Sequence, residues 1–132
     1  MRVDIKLLAL MFLVTMTCCS SERPIIDGFY INTIDGYKSL RHINTQEGIV
    51  PGEETKLAWD KNHILVESIQ ESKTQFHIIL LDKVPKTKFY VYRNGDPYGK
   101  SDWIKGPYDF DDFLEAKLKY RVSSKLVLSP NF

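Results

Sequence analysis

Cysteine is nearly absent from this chain of 132 residues, because its two cysteines, Cys18 and Cys19, are adjacent and lie near the amino terminus. No pair remains for a disulfide in the domain that follows, so burial and hydrogen bonding must stabilise it. Net charge is missing too: residues 1–17 contain two basic residues and one acidic residue, and 16 of each remain after them. Without a charge excess, no nucleic-acid partner is predicted.

Sequence patterns of common active sites are also missing. The chain has no Gly-x-Ser-x-Gly elbow for a serine nucleophile and no glycine-rich loop for a nucleotide phosphate. Its three histidines, which have no neighbour at metal-ligand spacing, are His42, His63 and His77. Three aspartates near position 110 lack the pattern of a calcium loop, and helix capping accounts for them. We therefore expect no enzymatic activity, metal, cofactor or nucleotide.

A long apolar run is present near the amino terminus, from Leu7 to Met16, behind Arg2 and Lys6. A transmembrane helix needs about 20 apolar residues, so the run is too short to span a bilayer and has the form of an export signal. It leads into the two cysteines, and residues 1–21 thereby resemble a bacterial lipoprotein precursor, whose lipobox ends in a cysteine that is diacylated.

This lipobox departs from the preferred pattern, which has Leu three residues before the cysteine and Gly or Ala directly before it. Thr15 and Thr17 hold those positions for Cys18, while Met16 and Cys18 hold them for Cys19.

The resemblance implies a signal peptide over residues 1–17 and lipidation at Cys18, with Cys19 as the alternative. Fatty acyl chains such as palmitate would anchor the protein to the bacterial cell membrane or outer membrane, facing outside the cytoplasm, and two or three chains hold firmly. The alternatives are an ordinary secretory signal cut near Ser20, which releases a secreted soluble domain without lipid, and an uncleaved helical anchor.

Behind the signal, residues 18–27 predict a lipidated terminus and tether, and residues 28–132 predict a single domain. β-prone runs come first, and Asp35-Gly36 suits a two-residue hairpin turn. Asp109 then caps a helix whose apolar stripe holds Phe110, Phe113, Leu114 and Leu118, and Lys125–Leu128 predicts a last strand. This order predicts an α+β fold: a mainly antiparallel sheet, a meander of about five strands, with one C-terminal helix packed on a face.

Two long apolar runs, His63–Gln70 and Gln75–Asp82, predict a further hairpin. A turn centred on Ser72 and Lys73 places Ile69 opposite Phe76 and makes both faces of the hairpin mostly apolar. Cover is therefore expected on both sides. The helix supplies one cover, and packed loops of the same chain, a partner protein or a second copy supplies the other.

An aromatic loop follows these strands. Tyr, Trp and Arg carry much of the binding energy at protein interfaces, and long ordered loops are often functional. The candidate partner-binding residues are Tyr92, Tyr98, Trp103 and Tyr108. The alternative is that these aromatics lie back over the sheet as part of the core.

Several short segments of the domain resemble small uncharacterised lipoproteins of bacteria. They are Gly36-Tyr37, Ile49-Val50-Pro51, Trp59, Ile64-Leu65-Val66 and the Gly106-Pro107 that precedes a Phe-containing helix. The resemblance implies a compact domain and brings no catalytic residue.

The sequence thus predicts a membrane-anchored envelope lipoprotein of non-enzymatic, protein-binding type. One alternative is an immunity or inhibitor protein against an envelope toxin or wall hydrolase, and another is a subunit of an envelope assembly.

Overall fold

A computed structural model of the chain describes residues 20–45, 47–88 and 102–132, together with the backbone of 92–93 and 96–97. Within these ranges the elements are, in chain order, β1 (Ser20–Ile26), β2 (Phe29–Ile34), β3 (Tyr37–His42), β4 (Glu53–Trp59), β5 (His63–Gln70), β6 (Lys73–Leu80), a 3-10 turn (Leu81–Lys83), β7 (Tyr92–Arg93), β8 (Asp96–Pro97), β9 (Ile104–Tyr108) and α1 (Phe110–Lys119). The predicted signal peptide, both cysteines and Tyr98 lie outside the described residues.

Two Asp-Gly turns fold the first three strands into an antiparallel sheet, the first sheet, in the order β1-β2-β3. Asp35 and Gly36 have φ angles of 50° and 80°, and Asp27 and Gly28 have 48° and 83°. Positive φ at both central residues is what a two-residue hairpin loop of matching twist requires. The predicted hairpin at Asp35-Gly36 is confirmed, and the same dipeptide at Asp27-Gly28 forms a second hairpin.

Strand β1 corrects the predicted tether over residues 18–27. It pairs with β2 from Ser20 opposite Ile34 to Ile26 opposite Phe29, with an irregularity after Pro24. Most of its side chains are exposed, so its pairing depends on backbone hydrogen bonds rather than on a buried apolar face. A strand that is held by backbone hydrogen bonds needs no alternation of apolar and polar residues, so the sequence of β1 resembles that of a tether.

The second sheet is antiparallel, in the order β4-β5-β6-β9. Its central hairpin turns at Glu71 and Ser72, whose φ angles are 50° and 63°. Glu67, rather than Ile69, therefore lies opposite Phe76, so the register differs from the predicted one by two residues. Because side chains alternate with a period of two, this displacement leaves every side chain on its predicted face.

Both faces of that hairpin are apolar, and the same chain covers both. On one face, Ile64, Val66 and Ile79 pack in a cluster with Phe29, Ile31 and Leu40 of the first sheet. On the other, Leu65, Ile78 and Leu80 pack with Phe113 and Ala116 of α1 and with Leu126. The expected double cover is confirmed, and the layers are the first sheet, the second sheet and the helix.

The α+β class with a helix near the carboxyl end is confirmed, while the strands divide between two sheets instead of continuing as one meander. The division falls between β3 and β4, which are not hydrogen-bonded neighbours. The predicted last strand, Lys125–Leu128, is wrong: there a single bridge joins Ser129 to Leu57, and Leu126 is buried on the helix side.

Helix α1 begins where predicted, since the Asp109 carboxylate accepts a hydrogen bond of 2.8 Å from the amide of Asp112. Such a cap satisfies one of the free amides of the first turn. The rotation of the helix differs from the predicted stripe: of its apolar residues, Phe113 and Ala116 are buried, whereas Leu114 and Leu118 face outward.

Candidate functional site

Of the four predicted aromatic residues, the structure describes the side chains of Trp103 and Tyr108, which lie on opposite sides of the second sheet. Trp103 is 5% exposed and packs in the cluster between the two sheets, with its ring 6.2 Å from that of Phe29. Tyr108 packs against the cluster on the helix side of the second sheet. The backbone of Tyr92 pairs with Pro97, and the side chains of Tyr92 and Tyr98 are outside the described part of the chain. Trp103 thus contributes to the core.

Tyr108 is partly buried beside Tyr120, which follows the last turn of α1. Burial, the neighbouring Tyr120 and the Asp112 carboxylate together raise the pKa of Tyr108 to about 12. Its phenol therefore keeps its proton at physiological pH and serves as a hydrogen-bonding group, not as a base.

His42 joins the two turns at one end of the first sheet. Its Nδ1 accepts a hydrogen bond of 3.0 Å from the amide of Asn44, and its Nε2 lies 3.0 Å from the carbonyl oxygen of Asp27. Since a carbonyl only accepts, Nε2 carries the proton and the ring is neutral. Burial lowers the pKa of His42, against the opposing effect of Asp27, so the neutral ring is the form that the fold favours.

His63 lies at the end of the helix, beside a cleft of about 390 Å³. Its Nε2 donates to the carbonyl oxygen of Tyr120 over 3.0 Å, and its Nδ1 lies 4.0 Å from Asp60 Oδ1. The same carboxylate oxygen accepts hydrogen bonds of 2.8 Å from the backbone amides of Asn62 and His63. Both ring nitrogens thus face protein atoms, and His63 ties β5 to the end of α1.

A row of polar side chains crosses the face of the second sheet that packs on the first sheet. Ser68 lies opposite Glu54 on one side and opposite Gln75 on the other. Among the described residues, the two carboxyl oxygens of Glu54, Ser68 Oγ and Gln75 Oε1 are buried without a hydrogen-bond partner. His77, on the same face, is fully buried. Burial of the polar atoms of Glu54, Ser68 and Gln75 without partners is costly for the fold.

Glu54 is 2% exposed, and this burial raises its pKa to about 8. The amides of Leu40 and Glu54 and the charge of Arg41 oppose the rise, while Glu53 adds to it. Both amides are near enough to lower the pKa, yet neither satisfies hydrogen-bond geometry. Glu54 therefore holds its proton in the folded protein at neutral pH, enclosed where no substrate reaches it.

An exposed apolar stripe runs along α1, formed by Phe110, Leu114 and Leu118, which are 56%, 43% and 82% exposed. Residues four apart in a helix lie on one side, so the three side chains follow one another along α1. The ring of Phe110 also contacts the core, with its centroid 5.7 Å from that of Phe76. Aligned exposed apolar side chains are unusual for a monomer and typical of a binding surface.

Charges of opposite sign flank the apolar stripe at its two ends. Asp111, Asp112 and Glu115 are exposed along its amino-terminal half. Lys117 and Lys119 follow in the last turn, with their ammonium groups over the rings of Phe113 and Tyr120 at 5.5 and 5.4 Å. A surface that meets the stripe would match it best with basic groups at one end and acidic groups at the other.

Within the described ranges, no three His, Cys, Asp or Glu side chains are grouped closely enough to hold a metal ion. In the same part of the chain, no helix is both long enough and apolar enough to cross a membrane. No family model, curated protein or solved structure matches this chain.

Sequence reasoning missed two features of the site. The spacing of Phe110, Leu114 and Leu118 predicts a stripe on one side of α1, but the same periodicity allows that stripe to face either the core or the outside. Nothing in the sequence indicates that Glu54 is buried. Glu54 lies in the charged run Glu53-Glu54 after a Pro-Gly pair, and such a run is typical of solvent-exposed segments.

Proposed function

We propose that this protein is a membrane-anchored envelope lipoprotein of non-enzymatic type that binds another protein through the apolar stripe of α1. The address follows from the resemblance of Leu7–Cys19 to a lipoprotein signal. The binding function is supported above all by the exposure of Phe110, Leu114 and Leu118 on a helix whose opposite side is already buried in the core.

A helix that presents apolar residues at positions i, i+4 and i+8 fits a hydrophobic groove on a partner. The histidines lend support to a non-enzymatic role, because His42 and His63 hold backbone groups of the fold and His77 is enclosed. Trp103, which packs in the core, is not part of the proposed surface. Tyr92, Tyr98 and Tyr108 remain predicted partner-binding residues.

Binding is expected to fail when both exposed leucines are made polar. In the full, lipidated chain, Leu114→Gln with Leu118→Gln should lower the affinity for the partner at least about tenfold, since groove-filling apolar side chains are typical hot spots. The free energy of unfolding should change by less than about 1 kcal/mol, because both side chains are already exposed. Affinity purification from detergent-solubilised envelopes, followed by titration with the purified partner, measures the first effect, and denaturation measures the second.

Ile43→Gln is the matched control, since it replaces an exposed apolar residue, 73% exposed in the turn after β3, that lies away from α1. A protein retained by the wild type and by this control, and lost from the double variant, supports the proposal. Equal retention by all three chains excludes the stripe as the binding surface. A dimer of the purified protein that the double variant abolishes would assign the stripe to a second copy instead.

The identity of the retained protein separates the two kinds of binding function. An immunity or inhibitor protein would form a stoichiometric complex with a toxin or a wall hydrolase and suppress its activity. A subunit of an envelope assembly would be retained together with membrane components.

A further inference from the structure

We propose that the β2–β3 hairpin tip, formed by Ile34, Asp35, Gly36 and Tyr37, is the surface with which the domain rests on the lipid bilayer. This inference depends on the proposed lipid anchor and adds to it an orientation. It concerns an end of the first sheet that is distinct from the apolar stripe of α1.

The register of the first sheet places the hairpin tip beside the start of β1. Ser20 lies opposite Ile34, and Ile34 lies opposite Tyr37. Neighbouring strands are about 4.8 Å apart, so Tyr37 lies roughly 10 Å from Ser20 across the sheet. The end of β1 from which the chain leads back to the cysteines is therefore the end that carries the tip.

The short distance along the chain fixes this end near the membrane. Cys19 and Cys18 precede Ser20 by one and two residues. A fully extended chain advances at most about 3.6 Å per residue, so the acylated cysteine lies within roughly 7 Å of Ser20 whichever of the two is modified. Because β1 is paired from Ser20 onward, at most one residue, Cys19, separates the paired strand from the acylated cysteine.

The side chains of the tip suit the boundary between lipid and water. Ile34 and Tyr37 are 43% and 49% exposed, although both are large and apolar. Tyrosine is enriched at membrane interfaces, where its ring meets the acyl region and its hydroxyl stays hydrated. Contact with the bilayer would bury the apolar surface of Ile34 and Tyr37 that is exposed in the folded domain.

The charges around the tip indicate which lipid headgroups it meets. Asp35 is exposed in the turn, and Glu53 lies close enough to Tyr37 to help raise the pKa of its phenol, after the effects of burial and of Glu54. Lys38, the cation beside the tip, donates its ammonium to the carbonyl oxygen of Phe132 at 3.0 Å, so the carboxylates at this end disfavour an anionic lipid surface. The tip is therefore expected to rest on zwitterionic headgroups.

Photo-crosslinking of the full, lipidated chain in phosphatidylcholine vesicles tests the orientation. A benzoyl-phenylalanine residue replaces Tyr37 in one variant and Lys61 in the other. Lys61 is exposed in the turn after β4. Strand β4 begins at Glu53, near Tyr37, and its seven residues span roughly 20 Å, so Lys61 lies at the far end of the strand from Tyr37. We expect phospholipid adducts at position 37 and none at position 61, detected by mass spectrometry of the protein.

Co-flotation with the vesicles separates the two proposals. Protein that floats with the vesicles without a lipid adduct at position 37, or with equal adducts at both positions, overturns the orientation and leaves the anchor standing. Protein that does not float overturns the anchor and, with it, the orientation.

Discussion

Glu54→Gln is expected to raise the free energy of unfolding at pH 8 by roughly 4 kcal/mol more than it does at pH 5. The pKa of Glu54 is raised by burial to about 8, whereas the ordinary value is 4.5. In this interval the unfolded chain releases the proton and the folded chain retains it. The wild type therefore loses about 1.4 kcal/mol of stability per pH unit as the pH rises through it.

The contribution of protonated Glu54 to the free energy of unfolding is thus fully present below pH 4.5 and is lost as the pH rises to about 8. Glutamine has the same shape and does not ionise, so the variant escapes this loss. Urea denaturation of both proteins at pH 5 and pH 8 measures the effect as a difference between the chains, which cancels the other titrating groups.

Two histidines oppose this trend in the wild type. Burial lowers the pKa of His77 to about 4, and burial also lowers that of His42. Both groups bind protons more readily in the unfolded chain, so their contribution to stability is lost as the pH falls below 6.5. With Glu54 replaced, the free energy of unfolding should therefore increase from pH 5 to pH 8.

Ser68→Ala is the matched control for Glu54. Ser68 is the buried neighbour of Glu54 across the sheet and has no titrating group, so its replacement should change stability equally at both pH values. An effect of Glu54→Gln that is also independent of pH would mean that the carboxylate is ionised in the folded protein.

Trp103→Ala should lower the free energy of unfolding by about 3 to 5 kcal/mol. The indole packs in the cluster between the sheets. The backbone carbonyl of Trp103, which accepts a hydrogen bond of 2.8 Å from the amide of Leu80, is unchanged by the substitution. Truncation removes the indole and leaves a cavity beside Phe29. Denaturation followed by circular dichroism measures the loss.

This loss is a large part of the 5 to 15 kcal/mol that stabilise a typical domain, so a milder variant is included. Trp103→Phe should cost about 1 to 2 kcal/mol and retain the fold. Leu118→Ala, at an exposed position, should change stability by less than about 0.5 kcal/mol. Loss of partner binding by Trp103→Phe with unchanged stability would instead place Trp103 at the binding surface.

The local features of the fold could be predicted where a few residues decide the geometry. Asp35-Gly36 marks its hairpin because few other dipeptides accept positive φ at both central positions. The alternation in β5 and β6 gives both apolar faces correctly, although the turn at Glu71-Ser72 lacks glycine and shifts the register by two residues. The Asp109 cap likewise fixes the start of α1.

Features that depend on which surfaces meet could not be predicted from the sequence. The periodicity of α1 allows either Leu114 or Ala116 to face the sheet, and the choice depends on how Phe113 packs on Phe76, where the ring centroids are 4.8 Å apart. Tryptophan is common at protein interfaces, yet Trp103 packs in the core between the two sheets. The polar row around Glu54 exists only because the first sheet covers it.

The two proposed surfaces are consistent with one another. The hairpin tip lies at the start of β1, and the apolar stripe lies on α1, on the far side of the second sheet from the first sheet. A domain held to the bilayer through the first sheet would keep the exposed side of α1 available to a partner in the envelope.

Mass spectrometry of the mature amino terminus tests the lipid anchor most directly. The protein produced from the full chain in a bacterial host should begin at Cys18, or at Cys19, and carry a diacylglycerol on that residue. Treatment with globomycin, which blocks the signal peptidase of lipoproteins, should leave the signal peptide of residues 1–17 attached. An unmodified amino terminus near Ser20, unaffected by globomycin, would contradict the account and leave a secreted domain without lipid.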